Sequence, residues 1–326
     1  MTGNQKNRFQ WIDILKGIGI ICVIMGHSMH SARWVFSFHM PLFFIVGGFL
    51  FHKNSFCKHF TKTIIRIVVP HIFYLFILYS LCRYPPTRWC MIWGGEYLTG
   101  VFSVFWFSPV YFFSIIILWG IANISWGIAK SNYVYLCFAL FFYVLSFNLP
   151  DVPRLHMQDI RVVPMALCYM LIGRLFYNFR TLFDFSKIRI CHLLCILMIF
   201  ICIVLCTDIQ IDMKYADYGI PGLSLISSVF LTFCLAICSM YIAKQNAGLT
   251  RCLSFLGKNT LTYMYIHQYV SIEFVFHLFP QNEPFLLIEI IRFVLTFFFT
   301  FAISYIILYF KSFVNYAFFF KSYRKN

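Results

Sequence analysis

The stretch WIDILKGIGIICVIMGH, residues 11–27, sets an acid, a base and an imidazole (Asp13, Lys16 and His27) inside an otherwise apolar run. A run of this kind, about 20 residues long, crosses some 30 Å of hydrocarbon as a helix. An ionisable group at that depth is costly to desolvate and marks function by default. On an ideal helix Lys16 and His27 lie about 20° apart in azimuth and about 16 Å apart along the axis, so they share a face at different depths. Asp13 sits one turn before Lys16 and pairs with it. Some 21 Å of helix separates Asp13 from His27, so any carboxylate partner for the imidazole comes from elsewhere.

The rest of the chain has the same solvent. Hydrophobic residues make up 61%, charged residues 11%, and the mean hydropathy is +0.79, far from the roughly 25% charge of soluble domains. Apolar runs fall at 12–32, 35–52, 64–82, 104–126, 131–149, 162–179, 188–207, 220–242, 259–279 and 285–310. They are continuous rather than alternating and too long for barrel strands. Their backbone groups must be satisfied internally, which makes them helices. The expectation is an all-α polytopic membrane protein, a bundle of about ten transmembrane helices forming one domain over 1–326 with no soluble appendage.

Of 26 basic residues, 19 fall on one set of alternate loops, including Lys53, Lys58, Lys62, Arg66 and Lys258. The positive-inside bias puts those loops and both termini in the cytoplasm. The net charge of +15 thereby reads as contact with anionic headgroups and not with nucleic acid, because no compact basic domain exists. The first run carries Lys16 and His27, lacks a cleavage site and is followed at once by another span, so it reads as a retained helix. Nearly all of the 13 cysteines lie within spans and read as packing residues; only Cys82 and Cys90 flank a loop as a pair to test for a disulfide. No P-loop, HExxH, CxxC or GxSxG signature occurs, so no metal and no permanently bound cofactor is expected.

Taken alone, Lys16 reads as a snorkelling anchor, and His27 is evenly balanced between an interhelical hydrogen bond and function. Their conjunction on one stripe favours function. In the ninth run Asn259, Tyr263 and His267 recur at every fourth position, a pattern that ordinary interhelical bonding also explains. Higher in that run Glu273 reaches a depth similar to Arg292 in the tenth, which predicts an ion pair, with Glu273 a candidate orienter of His27.

Four blocks in order resemble the membrane-bound acyltransferase 3 family: the opening 11–27 with ten residues between base and histidine, FSFHMPLFFIVGGFLF at 36–51, WFSPVYFF at 106–113 and LSFLGKNTLTYMYIHQY at 253–269. The chain is most similar to the sugar O-acetyltransferase branch, of the fucose 4-O-acetylase type. One departure stands out. Many relatives carry a paired Arg-x-Arg where this chain has KTIIRIVVP, with Lys62 and Arg66 four residues apart but still on one helical face.

The resemblance implies an O-acyltransferase of the bacterial inner membrane that moves an acyl group, most often acetyl, from cytoplasmic acyl-CoA to a glycan or lipid-linked sugar. Lys16, Lys62, Arg66 and Lys58 form the basic mouth for the donor phosphates. His27 is the general base, with Asp13 and Lys16 completing its stripe, and a covalent acyl-histidine is the less economical variant. His39, Arg33 and Trp106 line the acceptor entrance, and Asn259, Tyr263, His267 and Glu273 are secondary candidates. The aromatic belt is the competing account of Trp106, and it is favoured for that residue alone. A proton-coupled transporter or glycan flippase is the alternative from another class, although no inverted repeat supports it.

Overall fold

The computed structural model describes residues 9–53, 55–82, 98–124, 128–149, 158–180, 197–198, 201, 211–245, 247–280 and 285–323. Helix α1, Gln10–Ser28, stops four residues before its apolar run does. The polar residues Ser28, His30 and Ser31 end it; Met29 is extended, and the Ser28 hydroxyl donates back to the Ile24 carbonyl at 2.7 Å. A 3₁₀ segment, His30–Ser37, then turns the chain into α2, His39–Phe49. Helix α3, Phe56–Leu81, starts a full two turns earlier than its apolar run and contains a π turn at Ile64–Val68.

A second 3₁₀ segment, Gly100–Trp106, leads into α4, Phe107–Ile124. Then come α5, Ile128–Asn148, α6, Val163–Phe179, and α7, Leu223–Gln245. Helix α8, Ala247–Lys258, precedes the ninth run, and Asn259 separates it from α9, residues 260–278, which forms that run and has a π turn at Ser271–Val275. The last helix, α10, is Leu286–Tyr323. Seven of the described helices are long and apolar enough to cross a membrane; the chain is an all-α polytopic membrane protein. The predicted span 188–207 lies almost wholly outside the described residues, as does Cys90.

Helices in lipid gain little from burying apolar surface against one another, so close packing and internal hydrogen bonds must hold them. Helix α1 is the centre of that packing, touching α2, α7, α8, α9 and α10. Against α8 the approach is backbone to backbone and reciprocal. A Cβ on Gly17 would lie 2.2 Å from the Leu253 carbonyl oxygen, and one on Gly257 only 1.7 Å from that of Asp13. The α2–α6 contact repeats the device, with Gly48 against the Met170 carbonyl and Gly173 against that of Ile45.

Polar contacts close the far end of the bundle. Glu289 in the first turn of α10 accepts the backbone N–H groups of His30 and Ser31 at 3.1 and 3.0 Å and the Ser31 hydroxyl. Arg292, one turn further on, feels that carboxylate and donates to the Pro280 carbonyl at 3.3 Å. The expected partnership of Arg292 with Glu273 is thus taken by Glu289. The acid already on the same helix needs no register match between two helices, whereas Glu273 sits half-buried on the π turn towards Cys82 and Tyr269.

The glycine contact carries a direct prediction. Gly257→Val drives a side chain into the α1 backbone and destabilises the fold by about 3 kcal/mol or more. This appears as an early unfolding midpoint in detergent titration, while Gly120→Val, at a site with nothing within 4 Å, leaves the midpoint at or slightly above that of the parent, valine being the better helix former.

Candidate active site

His27 occupies the last turn of α1, His39 is the first residue of α2, and His267 lies on α9. Packing of α1 against α2 and α9 brings the three rings together. The His27 ring centroid is 5.2 Å from that of His267 and 6.5 Å from that of His39, with Phe36 at 5.4 Å on its edge. They share a cavity of about 70 Å³ whose wall also includes Met40, Ser103, Trp106, Asp212 and Lys214. The volume is that of about two water molecules. It admits reacting atoms, not a sugar ring.

The three imidazoles are held differently. His39 Nδ1–H donates to the Val35 carbonyl at 2.8 Å, and His267 Nδ1–H to that of Tyr263 at 3.2 Å. In a neutral ring those bonds leave Nε2 as an acceptor. His267 Nε2 is buried with no hydrogen-bond partner among the described residues. His27 has no hydrogen bond to another described residue and is only partly buried, because it faces the cavity. One ring is therefore available for proton transfer, flanked by two that are pinned by their backbones.

Trp106 is 6% exposed and forms part of the cavity wall. The aromatic-belt account does not hold for it: the 3₁₀ segment before α4 turns the indole inward. Sequence reasoning passed over the loop Ile211–Tyr218. Lys214, 7% exposed, donates to the Leu98 carbonyl at 2.5 Å and to Ser103 Oγ and Tyr215 Oη at 3.2 Å each. It ties the loop across the cavity and lends it a positive charge. Burial pushes the Asp212 carboxyl above its ordinary range, against the opposing pull of Lys214. The signal for this loop was present as the cluster IDMKYADYG, dense in charge and aromatics between two apolar runs.

The remaining candidates lie elsewhere. Asp13 and Lys16 form an ion pair of 3.1 Å at the opposite end of α1. Lys58, Lys62 and Arg66 are exposed on α3, and the π turn that contains Arg66 widens the turn carrying it. None of these five lines the cavity. Arg33 is exposed on the first 3₁₀ segment and also lies off the cavity wall. Asn259 is the break between α8 and α9, its side-chain amide donating to the Phe255 carbonyl at 2.9 Å. Tyr263 is buried one turn below His267 and stacks on Phe301. Among the described residues no group of three or more His, Cys, Asp or Glu side chains is spaced to hold a metal ion.

Comparison with known proteins adds three findings. The sequence model of the acyltransferase 3 family, described as an acyltransferase domain, matches residues 9–309. The nodulation protein NolL of Sinorhizobium fredii is 26% identical over 91 residues, a match covering 22% of this chain and 25% of that protein, so the chain spans about a quarter of that relative's length. No solved structure matches the chain. Because the family match runs from before Asp13 to beyond Ser304 and takes in every helix that builds the histidine cavity, this chain belongs to the acyltransferase 3 family.

Proposed function

We propose that the protein transfers an acyl group, acetyl in the first instance, from cytoplasmic acyl-CoA to a hydroxyl of an extracytoplasmic or lipid-linked glycan at a bacterial inner membrane. One observation carries the reading: an imidazole with no hydrogen bond to another described residue, His27, faces a small cavity at one end of a helix whose other end holds a basic residue. About 16 Å separates the two levels, a distance suited to a donor whose charged nucleotide and reactive thioester lie at opposite ends of a long arm.

In this mechanism the acceptor hydroxyl oxygen attacks the thioester carbonyl carbon while His27 takes the hydroxyl proton. The tetrahedral intermediate collapses with cleavage of the C–S bond, and the proton on His27 passes to the departing thiolate. The products are an O-acyl ester and free CoA, and the imidazole returns to its neutral form. Lys214 at the cavity wall favours negative charge on the carbonyl oxygen during attack. The sugar body, too large for the cavity, rests against Trp106 and the Ile211–Tyr218 loop, with His39 behind the attacking hydroxyl. Lys16, Lys58, Lys62 and Arg66 attract the donor phosphates. No resident cofactor or metal takes part.

His27→Ala should lower kcat for acyl transfer by about 10² to 10⁴ in purified protein given acetyl-CoA and a glycan acceptor, with the acyl increment read by mass spectrometry. Undiminished transfer removes His27 as the base, and glycan transport without any acyl transfer removes the enzyme reading. Lys62→Gln with Arg66→Gln should raise KM for acetyl-CoA about tenfold, the scale of one charge-assisted hydrogen bond, and leave the acceptor KM unchanged. An unchanged donor KM takes these two residues out of the donor site.

A further inference from the structure

Helix α10 is built inside out. Over its Leu286–Phe310 portion the buried residues are Glu289, Arg292, Thr296, Thr300 and Ser304, every one polar, while Val294, Phe298, Tyr305 and Ile306 face outward. Thr296, Thr300 and Ser304 are fully buried, lie on one face at successive turns and span about 12 Å. None of their hydroxyls has a hydrogen-bond partner among the described residues.

Several helical hydroxyls elsewhere are held, and of the further buried ones without a partner among the described residues, Ser114, Thr232 and Ser271 occur singly on α4, α7 and the π turn of α9. Ser28, Thr63, Ser80, Ser224, Ser228 and Ser239 each donate to the carbonyl four residues earlier, the ordinary arrangement for Ser and Thr in a helix. Two further buried, unpartnered hydroxyls belong to the same region, Tyr263 on α9 and Ser254 on α8. Unpaired hydroxyls are disfavoured in a bilayer interior, so five in one region point to a polar ligand.

Their levels can be read from neighbouring ring contacts. Phe301 stacks on Tyr263 at 6.3 Å and lies the same distance from Phe255 of α8, which is also 6.4 Å from Tyr305. Thr300 therefore lies at the level of Tyr263, Thr296 one turn higher towards His267, and Ser304 towards α8. The other end of α8 abuts α1 where Gly257 meets the Asp13 carbonyl, beside the Asp13–Lys16 pair. The unpartnered hydroxyls thus run from the level of Lys16 towards the His27–His267 pair, between α1, α9 and α10, which are in mutual contact. The α3 side of α9 offers no such row: there Tyr74 donates to Thr262, and Ser108, Tyr265 and His71 bond to one another.

We infer that this face of α10 is the binding track for the amide-bearing arm of the donor, with Thr296, Thr300 and Ser304 hydrogen-bonding the arm's amides in succession. The inference rests on acyl-CoA being the donor. A chain with two secondary amides in series is the ligand chemistry that matches hydroxyls about one turn apart between packed helices.

The test uses full-length protein in nanodiscs and calorimetric titration with two probes: CoA, and adenosine 3′,5′-bisphosphate, which keeps phosphates but has no arm. Thr296→Val with Thr300→Val should weaken CoA binding about tenfold or more, at a few-fold per hydroxyl bond, and leave the bisphosphate unchanged. Thr296→Ser with Thr300→Ser should restore CoA affinity, and Ser239→Ala should change neither probe. If the valine pair does not purify, Ser304→Ala supplies the same comparison with an expected loss of about threefold.

Equal weakening of both probes, no change in either, or absence of CoA binding to the parent protein overturns the track. Acyl transfer that proceeds normally in the valine pair overturns the track and leaves the reaction standing. Arm-dependent CoA binding in a protein that transfers no acyl group supports the track and overturns the reaction.

Discussion

A polar group in hydrocarbon must find a partner inside the protein or face the cost of its lost hydration. This constraint arranges the whole molecule. Ser28 on α1, Thr63 on α3, and Ser224 and Ser228 on α7 satisfy it by bonding back to carbonyls four residues earlier. Glu289 satisfies it by gathering the first peptide N–H groups after α1, and Lys214 by donating to three oxygens. Against that background, one cluster of groups without partners among the described residues stands out: the His27 ring, His267 Nε2 and the hydroxyls of Thr296, Thr300 and Ser304. They lie on the inward faces of three helices that touch one another.

The second requirement is that α1 be held within backbone contact of its neighbours. Gly17 and Gly257 do this for α8, so Asp13 and Lys16 lie against the α8 end of the bundle while His27, about three to four turns along, reaches α2 and α9. Were either glycine replaced by a larger residue, α1 would stand off and the three imidazoles would no longer share one cavity. Packing far from the chemistry thus controls the separation of the rings, and the close fit leaves a cavity of only about 70 Å³. In the proposed reaction the site would hold only the thioester carbonyl and the attacking hydroxyl, with the larger parts of both substrates outside it.

Much of this was legible from residue order alone. The apolar runs located most of the helices, and helical periodicity placed Asp13 and Lys16 as a pair well separated from His27, as the 3.1 Å contact bears out. Where the reading missed, the cause was long-range. Trp106 looked like an interfacial anchor because its distance from the run's edge was visible and the inward turn of Gly100–Trp106 was not. Glu273 and Arg292 looked like partners because depth along a helix can be counted, whereas azimuth between two helices cannot; the carboxylate beside Arg292 proved to be Glu289, three residues away.

Sequence by itself determined the solvent, the helices and the one stripe on which base and imidazole share a face, because these follow from local composition and from a fixed rise and rotation per residue. Only the tertiary structure decided that His27, His39, His267, Trp106 and Lys214, drawn from five separate segments, enclose one cavity, and that α10 turns its hydroxyls inward. Those relations depend on how helices pack around one another, which is set by side-chain and backbone contacts between residues far apart in the chain.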